Sequence, residues 1–329
     1  MAKLALSMAL HPYDRTQAIL DGTVTVEGCS VNTIPLGAEE AFARAIGSQQ
    51  FDVTEMSLGS YLVQSASGTA EYLAIPVFLS RSFRHGAIYV REGSGIDSPE
   101  DLRGRRVGVP EYQMTAALWA RGLLQDDHGI SAGDIAWTTG GLEQAGRHEK
   151  APLRLPETIR VTSCGPSETL TGLAQQGQID AIISARAPSS VGQPGGMRHL
   201  FPDRRAREED YFRRTGIFPI MHVVALRRSL AKAHPWLAQS LFKAFSAAKA
   251  RAMDGLREVG VLQVMLPWLA DDLARTQAVM GSDFWPYGVG PNRATLETAV
   301  RHAQEQGLTR ERVPVEALFA PGSGSDVKI

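Results

Sequence analysis

One short stretch concentrates the groups best suited to handling protons and anions. Ser80-Arg81-Ser82-Phe83-Arg84-His85 lies between two runs, 72–79 and 86–90, whose aromatic and β-branched content reads as strand. Charged side chains at a strand end sit where open α/β sheets collect ligands. Arg81 and Arg84 offer guanidinium forks that match carboxylates. His85 can take or give a proton near neutral pH. The bland alternative is a solvated basic turn.

A second candidate is Val109-Pro110-Glu111-Tyr112-Gln113-Met114-Thr115, where a strand feeds a helix. The first N–H groups of a helix lack partners and welcome an anion. Gln113 and Thr115 add polar groups, and Tyr112 offers a ring for stacking. Ordinary capping explains the stretch equally well, and the Gly and Lys spacing of a phosphate loop is missing. A third stretch, Arg213 to His222, ends inside an apolar strand. On spacing alone His222 reads better as a core or hinge histidine than as a catalyst, and the row Arg204, Arg205 and Arg207 as a solvated face. Lesser candidates are His11, Tyr13, Asp14 and Arg15 after the first strand, Ser184 and Arg186 after a later one, and Glu55, Ser57 and Tyr61 as a cleft wall. The eight histidines show no HxH or HExxH spacing, so no metal-ligand pattern is present.

The elements that must position these groups alternate strand and helix. Strands are expected at 3–10, 24–36, 51–53, 72–79 and 86–90, with helices at 38–46 and 58–63. A new unit starts near residue 92, where Glu92-Gly93-Ser94-Gly95 is turn-like. It carries strands at 107–109, 159–161 and 179–183, helices at 112–124 and 170–176, and a Pro/Gly/Ser-rich loop at 188–196. An apolar segment at 217–226 is followed by helices at 233–259, 271–280 and 294–307. This order predicts an α/β protein of two lobes with a cleft between them. Lobe 1 comprises 1–91 and 216–329, and lobe 2, 92–215, is inserted into it.

Composition narrows the function. At 329 residues the chain exceeds the size of one ordinary core. A net charge of -1 gives no basic field for nucleic acid. No apolar run approaches 18 residues, so no membrane span is expected. Arginine outnumbers lysine 28 to 6, from genomic base bias or from carboxylate recognition. Cys29 and Cys164 form no metal-binding pair. With no convincing leader in the first residues, a cytoplasmic protein with reduced thiols is expected.

At these same residues the sequence resembles the 4,5-dihydroxyphthalate decarboxylase family. The matching stretches are Tyr13-Asp14-Arg15-Thr16, Phe51 to Leu58 (FDVTEMSL), Ile75-Pro76-Val77-Phe78, Arg81-Ser82-Phe83-Arg84-His85, Val107 to Ala117 (VGVPEYQMTAA), Arg213 to His222 (RRTGIFPIMH), Asp283 to Gly288 (DFWPYG) and Leu318-Phe319-Ala320-Pro321. The likeness runs essentially end to end. It implies a type II periplasmic-binding-protein fold and conversion of 4,5-dihydroxyphthalate to 3,4-dihydroxybenzoate and carbon dioxide.

That chemistry calls for protonation of the ring carbon bearing the departing carboxylate. His85 is assigned first to proton transfer, His222 second and Glu111 third. Arg81, Arg84 and Arg214 position carboxylates, joined by Tyr112, Gln113, Thr115, Tyr13, Arg186 and Ser57. The expected partner is a small aromatic dicarboxylate, with no nucleic acid and no membrane; a homo-oligomer is compatible with the sequence. No cofactor is predicted, and a divalent metal stays open because a catechol chelates one. The alternatives are a solute-binding protein that closes on a carboxylated aromatic without reacting, and a decarboxylase of a related hydroxylated aromatic acid.

Overall fold

The computed structural model describes residues 2–324. The first sheet has the order β2-β1-β3-β11-β4. Its strands are β1 (Leu4–Leu10), β2 (Cys29–Pro35), β3 (Val53–Ser57), β4 (Tyr72–Arg81) and β11 (Ile220–Arg227). The helices between them are α1 (Asp14–Leu20), α2 (Ala38–Ser48) and α3 (Leu58–Ala66). β1 runs parallel to β2 and β3, whereas β11 returns antiparallel between β3 and β4. These central strands carry apolar residues on both faces, among them Met8, Met56, Ile75, Val77 and Val223 to Leu226, as expected of strands covered on two sides.

The second sheet has the order β10-β5-β9-β6-β7-β8. It contains β5 (Ile88–Arg91), β6 (Arg106–Val109), β7 (Ala136–Thr139), β8 (Val161–Ser163), β9 (Ala181–Ile183) and β10 (Met197–His199). Its helices are α4 (Thr115–His128), α5 (Leu170–Gln175) and α6 (Arg204–Thr215). The expected division at residue 92 leaves Ile88–Arg91 with the first unit, but its hydrogen bonds to β9 and β10 put it in the second sheet. The first crossing between sheets therefore falls within 82–87, and the return falls at 216–219.

The C-terminal part forms α7 (Arg228–Ala233), α8 (Leu237–Arg257), α9 (Leu269–Met280) and α10 (Arg293–Glu305). It serves both sheets. α8 packs on α1, while α10 packs on α3 and α4. A buried network fastens that second contact. Arg121 donates to Gln306 Oε1 and to the Tyr112 carbonyl, both at 2.7 Å, and Gln306 Nε2 donates to the Leu118 carbonyl at 2.9 Å. Gly122 is required there, because a Cβ would lie 2.1 Å from the His302 ring. One contiguous apolar cluster runs through both sheets. The α8–α9 connection instead leaves Val261, Met265 and Trp268 exposed.

α6 has no counterpart among the expected helices, and the Arg204, Arg205 and Arg207 row expected to be a solvated face lies on it. Only Tyr211 is buried along it, so no apolar stripe announces it. Ion pairs one turn apart support it instead, Arg205 and Arg213 with Glu209, Arg207 with Asp203, and Arg214 with Asp210.

Candidate functional site

The first sheet gathers its reactive groups at one end of β3 and β11. In the antiparallel register Ser57 faces His222 and Glu55 faces Val224. Directly opposed residues share a face, so Glu55 and His222 are diagonal neighbours on it. The His222 Nδ1 lies 2.7 Å from Glu55 Oε1. The Tyr13 hydroxyl donates to the same oxygen at 2.8 Å, and the His11 N–H to Oε2 at 3.3 Å. Tyr13 is held at the start of α1 by its N–H donating to Thr16 Oγ1. Arg15 stacks between the rings of Tyr13 and Trp285 and donates to the Leu79 carbonyl.

Electrostatics gives each member a role. The Glu55 side chain is 0% exposed. Burial pulls its carboxyl upward, but the His222 and Tyr13 hydrogen bonds outweigh this and hold it below the usual carboxylate range. Burial and the Glu55 charge push the Tyr13 hydroxyl well above the ordinary phenol range, so it stays a donor. With Nδ1 turned to a buried carboxylate, His222 presents Nε2 as its working nitrogen. Its side chain is 19% exposed, with Phe42 edge-on at 4.8 Å. This arrangement can hold a proton at Nε2 and deliver it.

The β6–α4 turn touches this end of the first sheet. Thr115 Oγ1 lies 2.8 Å from Ser57 Oγ and accepts from the Gly59 N–H at 2.9 Å. Gly59 permits the approach, since a Cβ there would lie 2.3 Å from the Gln113 carbonyl oxygen. A second bridge joins the same turn to α2. Glu111, with its side chain 2% exposed, accepts from Arg147 and Lys150, and Arg147 also pairs with Glu39 at 2.9 Å.

α4 begins at Thr115 rather than at the expected 112, so Tyr112 and Gln113 lie in the turn before it. Glu149 accepts from the backbone N–H groups of Tyr112 and Gln113, and from Gln113 Nε2 at 3.0 Å. The expected roles of Tyr112 and Gln113 toward substrate are thereby revised. The Tyr112 ring is buried under Arg121 and its hydroxyl donates to the Gln306 carbonyl. Gln113 is wholly buried and also donates to the Ala151 carbonyl. Glu111 is an ion-pair anchor, because two cations already occupy one of its oxygens.

Other expected residues stand apart from the Glu55–His222 pair. Arg81 braces the crossing, donating to the carbonyls of Phe218 and Pro286 and to Asn292. Tyr61 is a core residue bonded to the Leu318 carbonyl. Arg214 pairs with Asp127 and Asp210. His85 packs edge-on against Phe201 and Tyr211 and lines a 480 Å³ cavity with Asp127, His128 and Arg214. Burial pushes its ring down to about 4, so it is neutral at pH 7 and a poor proton donor.

That shift makes His85 an acid-sensitive element. Its folded value lies below the unfolded value of about 6.5, so the unfolded chain takes up the proton first. Stability is unaffected above pH 6.5, falls as pH drops from 6.5 to 4, and loses at most on the order of 3 kcal/mol. Urea unfolding of wild type and His85→Asn at pH 7 and pH 5 tests this. The variant is expected to lose less stability between the two pH values.

Arg84 and Arg186 keep the roles expected of them open. Arg84 donates through Nε to Met221 Sδ and lines a 380 Å³ cavity beside the crossing. Its guanidinium has no carboxylate within 4 Å among the described residues, and burial presses it down to about 10. Arg84 is half-buried, and Glu208 of the same cavity acts on it only from beyond 4 Å, which leaves the guanidinium open to an incoming anion. Arg186 is exposed at the end of β9, close enough to Glu39 to feel its charge. Sequence reasoning missed Glu39, Arg147, Glu149 and Lys150, and placed Glu55 only on a cleft wall. The signal at Glu55 is a lone carboxylate inside a fully buried strand.

One further acid–histidine group, Asp126, His302 and Glu305, has ligand-type atoms within 4.8 Å of one another. Arg301 donates to both Asp126 oxygens and to Glu305 at 2.7–2.9 Å. A guanidinium thus already neutralises both carboxylates, and the group fastens α10 to α4.

Two sheets joined by two crossings, with reactive groups at the strand ends between them, define a two-lobed binding-protein architecture of type II. Solved structures agree. A sulfonate ABC transporter periplasmic sulfonate-binding protein of Methylobacillus flagellatus matches with a TM-score of 0.57 at 15% identity, covering 97% of this chain and 92% of its own. The aliphatic sulphonate-binding protein of Escherichia coli matches at 0.52 and 16% identity, covering 99% and 94%. Residues 13–158 also match the phosphonate periplasmic substrate-binding proteins of ABC transporters.

The sequence relatives are more particular. A 4,5-dihydroxyphthalate decarboxylase of Comamonas testosteroni is 40% identical over 331 positions, covering 100% of both chains. Another of Pseudomonas putida is 43% identical over 215 residues, 65% of this chain and 83% of its own. The chain belongs to the 4,5-dihydroxyphthalate decarboxylase family. No helix among the described residues is long and apolar enough to cross a membrane.

Proposed function

We propose that this protein decarboxylates 4,5-dihydroxyphthalate to 3,4-dihydroxybenzoate and carbon dioxide, with His222 as the proton donor. The relatives' activity supports the reaction. The observation that carries the residue assignment is the buried Glu55 carboxylate 2.7 Å from His222 Nδ1. A carboxylate there fixes the orientation of the ring and leaves Nε2 to face the substrate, the arrangement in which a histidine serves as a general acid.

Each ring carbon bearing a carboxylate lies para to a hydroxyl, whose lone pair enriches that carbon. His222 Nε2–H donates its proton to one such carbon, forming a C–H bond with ring electrons. The bond to the carboxylate carbon then breaks, and its electron pair restores aromaticity as carbon dioxide leaves. The dianion and one proton give a monoanion and carbon dioxide, and solvent reprotonates His222. The site must grip the spectator carboxylate more firmly than the departing one, because the latter loses its charge in the transition state.

Arg84 takes the spectator carboxylate in this reading. A hydrogen bond to a charged group contributes about 1.5–3 kcal/mol. Arg84→Met is expected to raise KM roughly 10- to 100-fold while kcat changes less. Steady-state kinetics measures the split, and an unchanged KM removes Arg84 from binding. Lobe 1 is taken as the two chain ends and lobe 2 as the inserted middle, with the crossings at 82–87 and 216–219. The free thiols of Cys29 and Cys164 support a reducing, cytoplasmic setting.

The decisive test incubates metal-stripped protein with 4,5-dihydroxyphthalate and measures both products. Turnover is expected. Binding without product favours a solute-binding role, and turnover only on adding a divalent ion assigns the catechol hydroxyls to a metal.

A further inference from the structure

The largest of the three cavities described lies away from the Glu55–His222 pair. It measures about 840 Å³ and opens between the end of α3, residues 151–154 and residues 307–313. That volume is within the range of small-molecule sites. Its wall is apolar at Leu153 and Leu308, and its lining includes Arg154 and Arg310. Arg154 and Arg310 are exposed at its mouth, and among the described residues neither has a carboxylate within 4 Å. Thr309 also lines the cavity, with its hydroxyl buried and unpartnered.

From these features we infer a second ligand site, selective for a small carboxylate with an apolar body. The apolar wall takes the body, and the two guanidiniums take the charge bidentately. Glu311 at the same cavity opposes an anion, so the carboxylate must sit on the guanidinium side, away from it. The site has a physical route to the reaction centre. Residues 147–154 form its wall at one end, and at the other hold Glu111, Tyr112 and Gln113 through Arg147, Lys150 and Glu149. A ligand that prefers one placement of this segment biases the β6–α4 turn.

The inference does not rest on the decarboxylase reading, because none of the Tyr13, Glu55 or His222 groups lines this cavity. 4-Iodobenzoate is a suitable probe, since its iodine is located directly by anomalous scattering. Calorimetric titration of the full chain is compared with Arg154→Ser/Arg310→Ser, and with His222→Asn. Binding is expected to weaken at least tenfold in the double arginine variant and to persist in His222→Asn, with iodine placed between Leu153 and Leu308. Identical titration of wild type and the arginine variant overturns the inference. So does iodine found only elsewhere, or found in this cavity without measurable binding in solution.

Discussion

Replacing His222 by asparagine is expected to lower kcat by roughly 10²- to 10⁴-fold, the range for loss of a general acid, while substrate still binds. The substitution separates the two sides of the ring. The asparagine amide can stand in for the Nδ1–H that faces Glu55, so the buried carboxylate keeps a donor. Nothing replaces Nε2, and the proton has no route to the ring carbon. His85→Asn is expected to leave kcat within a few-fold at pH 7, because His85 is neutral and lines a cavity to which His222 does not contribute. Glu55→Gln removes the carboxylate that orients the His222 ring, so kcat falls. Full activity in His222→Asn, or a larger loss in His85→Asn, would sink the assignment. Stopped assays of carbon dioxide release across pH 5–9 distinguish these outcomes.

Arg147→Met is expected to destabilise the fold by about 3 kcal/mol. Removing one partner of a buried ion pair leaves the other charge uncompensated, which costs about 3–5 kcal/mol. Lys150 stays on Glu111 and reduces that cost. The contact to Glu39 adds little, because Glu39 is half-exposed and screened. The measurement is a double-mutant cycle with Glu111→Gln, read by urea unfolding. The double variant is expected to recover more than 1 kcal/mol of the loss, because the stranded charge is gone. Strict additivity would mean that Arg147 acts through packing alone.

The sequence made the sheet-forming runs and the long C-terminal helices legible because their apolar periodicity is strong. It concealed α6, whose stability comes from charge pairs, and β10, a three-residue edge strand in a Gly-rich surrounding. The first crossing was misplaced for a local reason. Glu92-Gly93-Ser94-Gly95 is the more conspicuous turn, but it follows a strand already paired in the second sheet. Among the reactive groups, clustering along the chain favoured His85 over His222. The proposed assignment reverses that order. Glu55 lies 167 residues from His222 in the chain, and only the β3–β11 register brings them together. Composition carries no trace of that register. The helix was expected to open at Tyr112, but that residue lies in the turn before α4, and the carboxylate that binds its N–H, 37 residues later in the chain, could not be read from a local motif.

That carboxylate closes the turn before α4 to other anions. Burial raises the carboxyl of Glu149 above the usual carboxylate range, against the pull of the N–H groups that hold it. A newcomer of like charge therefore faces a tethered competitor, present at roughly millimolar effective concentration. The chain itself thereby fills this turn, and recognition of a substrate carboxylate falls to groups outside it.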